Sequence, residues 1–195
     1  MGRVQPRPDL KSRIDAAALH LFAERGADAT PMPMIAEAAG AAVGSLYRYY
    51  ANKEELVARL YAENYTRLAR ELDAVQAEAV TTRGKITAMV RFICEFFDRE
   101  WDLARFLLFE QHLRLKAYTG AANPVDLVRG VLEEGVRRAE VKRLDTMLAT
   151  ALVMGPVVQA ATFRAYGRID GPLLQSAEAI TAGIWAAIGN RGNEE

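Results

Sequence analysis

At 195 residues, 51% hydrophobic and 26% charged, the chain is too short for three domains and apolar enough to bury a real core. That mix excludes a disordered chain and a small disulfide scaffold. Lys plus Arg (25) balances Asp plus Glu (25), which excludes an overall basic protein but not a basic patch. Cys94 is the one cysteine, so no internal disulfide forms, and a reducing compartment, the cytoplasm, is the simplest home. With two histidines and one cysteine far apart, no metal site is expected.

The start of the chain carries Arg3, Arg7, Lys11 and Arg13 with no apolar stretch behind them, which reads as a basic arm and not as a secretory signal. A helix is then expected over about Leu10–Arg25, with Ile14, Ala17, Ala18, Leu21 and Phe22 on one stripe and Gly26 as its stop. A second helix starts near Thr30 with Pro31 at its first position, carries Ile35, Ala36 and Ala39, and ends at Gly40. A third is short, about Val43 to Tyr50. A fourth starts at Asn52, with Glu55 completing a capping box, and runs toward Glu78. Longer helices follow over about Arg83–Arg99, Leu103–Tyr118, Pro124–Ala139, Leu144–Tyr166 and Pro172–Ile188, the fourth of these interrupted at Gly155–Pro156. No alternating Val/Ile/Thr run suggests a strand. Thr146 to Phe163 carries no charge, yet its Thr, Gln, Gly and Pro content speaks for burial between protein surfaces and against a membrane span.

The informative stretch is IAEAAGAAVGSLYRYYANKEEL, Ile35 to Leu56. Two short helices around a tight turn match a helix-turn-helix. Ala36 is small where the helices must approach, and Gly40 supplies a left-handed turn residue. Leu46 and Tyr50, four apart, point inward together; Ser45, Arg48 and Tyr49 then face outward with Tyr47 at the flank. Hydroxyls, aromatic rings and a guanidinium on one outward face suit phosphates and base edges. Lys53, at a helix start, can hold a phosphate.

These residues carry a resemblance. The Ala17–Ala18, Leu21–Phe22, Gly26 run, then Ile35–Ala36, Ala39–Gly40, Gly44–Ser45–Leu46–Tyr47 and Asn52–Lys53–Glu54–Glu55–Leu56 resemble the DNA-binding domain of the TetR family of bacterial transcriptional regulators. The resemblance implies an all-α chain: residues 1–53 form an N-terminal arm and three-helix DNA-binding domain, and residues 54–195 a larger helical effector-binding and dimerisation domain. It implies a homodimer on a near-palindromic double-stranded operator, with DNA contacts at Ser45, Tyr47, Arg48, Tyr49 and Lys53. Two departures stand out. Ala42 occupies a position where the family often has a capping Ser or Thr, and Met32–Pro33–Met34 replace polar residues in the first turn of the second helix.

Farther on, Phe92, Phe96, Trp101 and Phe109, with Met147, His112 and Gln159, suggest an apolar ligand site with a few polar groups. A packed core is the competing reading for any one of them. Val158, Thr162, Leu173, Ala177, Ile180, Ile184 and Trp185, on two helices with little polar surface, are expected at a four-helix dimer interface. The function expected is a regulator, a repressor released from DNA by a small apolar or amphipathic effector, with no cofactor, no membrane and no catalytic residue. An all-α carrier or enzyme, and a regulator-shaped interaction protein that has left DNA, are the alternatives. No nucleophile–base pair or phosphate loop supports the enzyme.

Overall fold

A computed structural model describes residues 9–114 and 122–190, except the side chains of His112 and Leu113. Helices account for the regular structure of the described residues: α1 (Leu10–Arg25), α2 (Met32–Ala38), α3 (Val43–Leu46), α4 (Lys53–Ala77), α5 (Thr82–Arg99), α6 (Trp101–Arg114), α7 (Pro124–Arg137), α8 (Thr146–Ala165), a 3-10 turn (Leu173–Ser176) and α9 (Ala177–Ile188). Arg3 and Arg7 lie outside the described residues.

Local chemistry sets the amino-terminal boundaries. Asp9 caps α1, its carboxylate accepting from Ser12 N at 2.7 Å, and Gly26 ends it at φ +81° with its N–H on Phe22 O. Ile14, Ala18, Leu21 and Phe22 are buried, as the stripe requires. Helix α2 begins later than expected: Pro31 is the flanking residue and Pro33 sits in the first turn, where a missing N–H matters least. Gly40 takes φ +60° in the turn to α3, and the Arg13 guanidinium donates to the carbonyls of Ala39 and Gly40. Helix α3 is one turn long, half the expected span, and residues 47–49 continue as a turn. Its flanking Ala42 has no capping side chain, which leaves the first N–H groups of α3 without that support. Asn52 accepts from Glu55 N at 2.8 Å to start α4, and Glu55 reaches back to Ala51 N at 2.7 Å.

Helix α4 is 25 residues long and runs from the small helices into the larger bundle. One apolar core spans both, from Ile14 through Leu56 and Phe106 to Ile188. In the bundle α4 packs on α5, α7 on α8, and α5 on α9, while α6 packs on α1. Helix α8 continues through Gly155–Pro156, both on its exposed side, although the proline removes one backbone N–H from the ladder. By length and composition α8 could cross a bilayer, with mean hydropathy 1.5, but it packs in the core against α5, α7 and α9. Only 28% of that apolar window is buried within the chain. Met147, Leu148 and Phe163 are left on an outer apolar face.

Candidate nucleic-acid interface and ligand cavity

Leu46 and Tyr50 point into the core, as expected, and they fix which way the α3 segment faces. Tyr50 is the stronger anchor. Its hydroxyl donates to Asp15 Oδ1 at 2.6 Å, and Asp15 also pairs with Lys11 at 2.7 Å, so the end of the segment is pinned to α1. Burial, then the bond to Asp15, pushes the Tyr50 phenol up to about 12, and the Asp15 contact raises Lys11 well above its ordinary value. Arg59 stacks 5.2 Å from the Tyr50 ring and donates to Tyr49 O.

With those anchors inside, Tyr47 stands 52% exposed, Arg48 is exposed, and Ser45 and Tyr49 are half-buried. The structure therefore brings four of the five expected DNA residues onto one short outward segment, with Tyr47 more prominent than a flank position implies. Lys53 differs. Its ammonium donates to Ala27 O at 2.8 Å and Asp28 O at 3.1 Å, stapling the α1–α2 loop to the start of α4. Two of its three donors are already occupied. Asp15 and Arg13, which hold this surface in shape, were missed; their signal was a charged pair flanking Ile14 on an otherwise apolar stripe.

The second feature is a cavity of about 130 Å³ lined by α4, α5, α6, α7 and α8 and partly open to the surface. Tyr65, Leu72, Phe96, Leu107, Val128 and Val157 are among its walls, and Gln111 is its amide-bearing residue. Of the expected ligand residues whose side chains are described, only Phe96 lines it. Phe92 opens instead on a shallow groove with Arg83 and Arg91. Trp101 and Phe109 lie on another face of α6, Phe109 stacked on Tyr166. Met147 is 55% exposed and Gln159 is exposed, both on the outer side of α8. The side chain of His112 falls outside the described residues. The real lining escaped the sequence because Ala104, Leu107, Leu108 and Val157 have no chemical signature beyond hydrophobicity. Cys94 is buried beside this core, and burial pushes its thiol up to about 11, the state of an inert apolar residue.

The expected dimer residues also need correction. Leu173, Ala177 and Ile184 are at most 1% exposed, packed inside the chain where α5 meets the 3-10 turn and α9. Val158 turns inward and lines the cavity. Thr162, Ile180 and Trp185 are half-buried. The large side chains of α9 went inward, and Ala179, Ala182, Gly183, Ala186 and Ala187 form the outward face.

Helix α6 carries ion pairs to both α1 and the start of α4. At one end Asp102 meets His20 of α1 at 2.7 Å; at the other Arg114 meets Glu54 of α4 at 3.2 Å and Glu110 at 3.3 Å. The bond to Asp102, then the charges of Asp102 and Glu24, raise the His20 imidazole above its ordinary value.

A helix-turn-helix whose core turns an arginine and a tyrosine outward, fused to a cavity-bearing bundle, defines a ligand-responsive DNA-binding transcriptional regulator. Residues 14–60 match the family model for bacterial regulatory proteins of the tetR family. The chain is 27% identical over 164 residues to the fatty acid metabolism regulator protein of Bacillus subtilis (strain 168), covering 81% of this chain and 84% of that protein. It is 32% identical over 130 residues to the HTH-type transcriptional repressor KstR2 of Rhodococcus jostii (strain RHA1), covering 64% and 63%. The fold is shared with the transcriptional regulator FadR from Bacillus subtilis, solved in complex with stearoyl-CoA (TM-score 0.73, 20% identity, 89% of this chain and 97% of that one). The amino-terminal region thus matches the tetR family of bacterial regulatory proteins, and the fold of the whole is that of solved regulators of this kind.

Proposed function

We propose that the chain acts in the cytoplasm as a homodimeric repressor, and that an amphipathic molecule with a long hydrocarbon chain, of the fatty acyl class, releases it from DNA. The observation that carries the ligand class is the cavity, whose walls are almost wholly apolar. Such a site rewards hydrocarbon and penalises polar groups that find no partner. The Bacillus subtilis FadR solved with stearoyl-CoA supports the same class.

On the DNA side, Arg48 and Tyr47 are the residues that reach base edges, with Ser45 and Tyr49 beside them and the α1–α3 unit set at residues 1–53. Lys53 contributes through the loop it holds. The apolar outer face of α8 and the small-residue face of α9 are what a second copy covers. Small residues let two backbones approach closely, and a two-fold axis makes each face its own complement. Two recognition segments then sit in successive major grooves.

The coupling follows from volume. A cavity of order 150 Å³ holds a benzene-sized guest, so an acyl chain enters about 130 Å³ only by displacing wall helices. Helix α6 is one such wall through Leu107 and Leu108, and it is paired with α1 through Asp102 and with the first turn of α4 through Arg114. A ligand that favours the displaced α6 shifts the population away from the DNA-competent geometry. The test is a gel shift on the operator with and without a fatty acyl ligand. Wild type should release DNA, and Val157→Trp, which fills the cavity, should bind DNA but ignore the ligand. Equal release of both proteins refutes the cavity as the effector site.

A further inference from the structure

Beside the cavity, on the same two helices, lies a cluster that neither the DNA surface nor the cavity uses. Arg105 of α6 stacks over the Trp101 ring with Cζ 5.6 Å from its centroid, and Arg164 of α8 stacks over the same ring at 5.0 Å. Arg105 also lies 5.9 Å from the Phe109 ring, which stacks in turn on Tyr166. Two guanidinium groups are thus gathered on one aromatic platform. The Nε of each is buried and makes no hydrogen bond. The carboxylates nearest Arg105 along α6 are committed elsewhere, Asp102 to His20 and Glu110 to Arg114.

Bringing two like charges together and burying a donor on each without an acceptor is unfavourable, and cation–π contacts of this kind recover only part of that. An anion accepting from these guanidiniums relieves both problems, because a phosphate or carboxylate accepts from guanidinium in the geometry the fork presents. The position is suggestive as well. Arg105 is flanked along α6 by Ala104 and Leu108, both cavity walls, and Arg164 lies about two turns beyond Val157 on the same face of α8.

We propose that Trp101, Arg105 and Arg164 form an anion site that takes the phosphate or carboxylate headgroup of the amphipath whose hydrocarbon chain occupies the cavity. This rests on the cavity reading above, and it adds what that reading leaves open: why the effector must be charged at one end, and which end faces the DNA-binding unit. Trp101 also borders a surface groove with Ala16, Leu19 and His20 of α1, so the ring that carries both guanidiniums lies at the α1–α6 junction.

The experiment uses the full chain with Trp185→Phe, which leaves Trp101 as the single tryptophan reporter. Dodecyl phosphate, dodecanoate, dodecanol and inorganic phosphate are titrated by calorimetry and by Trp101 fluorescence. Dodecyl phosphate and dodecanoate should bind at least about tenfold more tightly than dodecanol. Arg105→Gln/Arg164→Gln should erase that preference and leave dodecanol affinity unchanged. Each single variant should lose part of it, which keeps the test alive if the double variant does not fold. A double variant that still prefers the anionic ligands overturns the headgroup site while the cavity stands. Dodecanol binding that survives Val157→Trp overturns the cavity reading instead. Inorganic phosphate that matches dodecyl phosphate in affinity assigns the cluster to a free anion and overturns the headgroup role.

Discussion

Replacing Tyr50 with Phe removes one hydroxyl and nothing else, from a ring that is 1% exposed. The hydroxyl donates at 2.6 Å to Asp15, whose carboxylate is also held by Lys11 at 2.7 Å. A hydrogen bond to a charged acceptor contributes about 1.5–3 kcal/mol. Asp15 keeps Lys11 and some access to water, so the loss should fall at the low end, about 1.5 kcal/mol. For a chain of this size that is a drop in Tm of about 3–6 °C, read by calorimetry. Because the bond joins the end of the α3 segment to α1, Tyr50→Phe should weaken operator binding only mildly, through order in Tyr47 and Arg48. Arg48→Ala should do the reverse, reducing operator affinity by about 1–3 kcal/mol at unchanged Tm. Asp15→Ala completes a cycle: in that background Tyr50→Phe should be nearly neutral. A Tm loss of the same size with and without Asp15 would refute the pin and assign the effect to ring packing.

Gly40→Ala places a Cβ 2.9 Å from Arg13 Nη2 at a residue with φ +60°, so it should lower stability by about 1–2 kcal/mol, seen as a reduced urea midpoint. For His20, a folded-state value raised by Asp102 means that the tie to α6 contributes fully below the unfolded value of 6.5 and is lost as pH rises through the folded value. The Tm gap between wild type and His20→Gln should therefore be present at acidic pH and close on the alkaline side; a gap that grows with pH contradicts the assignment. Ala182→Arg, on the outward face of α9, should yield a folded monomer in sedimentation that no longer binds operator, whereas a persistent dimer would place the interface elsewhere.

The amino-terminal unit was legible in the sequence because its constraints are local. Ile14, Ala18, Leu21 and Phe22 repeat at helical spacing around one core, Gly40 is needed for a left-handed turn, and Leu46 with Tyr50 sets the outward direction of Arg48. The structural role of Lys53 was not legible because its partners, the carbonyls of Ala27 and Asp28, belong to a loop whose path no residue type announces. The bundle was harder for a different reason. Helix α9 is apolar around most of its circumference and α6 scatters polar and apolar residues on every side, so periodicity does not choose a face. Size made much of the choice in α9, where Ile184 and Ile188 filled the interior and Ala179, Ala182, Ala186 and Ala187 were left outside. In α6 the wide aromatics looked like a ligand box, but Trp101 and Phe109 were drawn to Arg105 and Arg164, and smaller Ala104, Leu107 and Leu108 were left to wall the cavity.

That division of α6 is what makes one helix able to report on a ligand. Its apolar face lines the cavity, another face carries Arg105 over Trp101, and its two ends hold α1 and α4 through Asp102 and Arg114. A purely apolar guest would press on the first face alone, and the ion pairs at the ends, largely solvent-exposed, are individually weak enough to yield. A guest with a charged end would engage two faces of the same helix at once. Its differential affinity for the shifted position would then exceed that of an uncharged chain, and differential affinity is the quantity that sets how far an effector can move the DNA-binding equilibrium. Release of operator should accordingly track headgroup charge more steeply than it tracks chain length, once the cavity is filled.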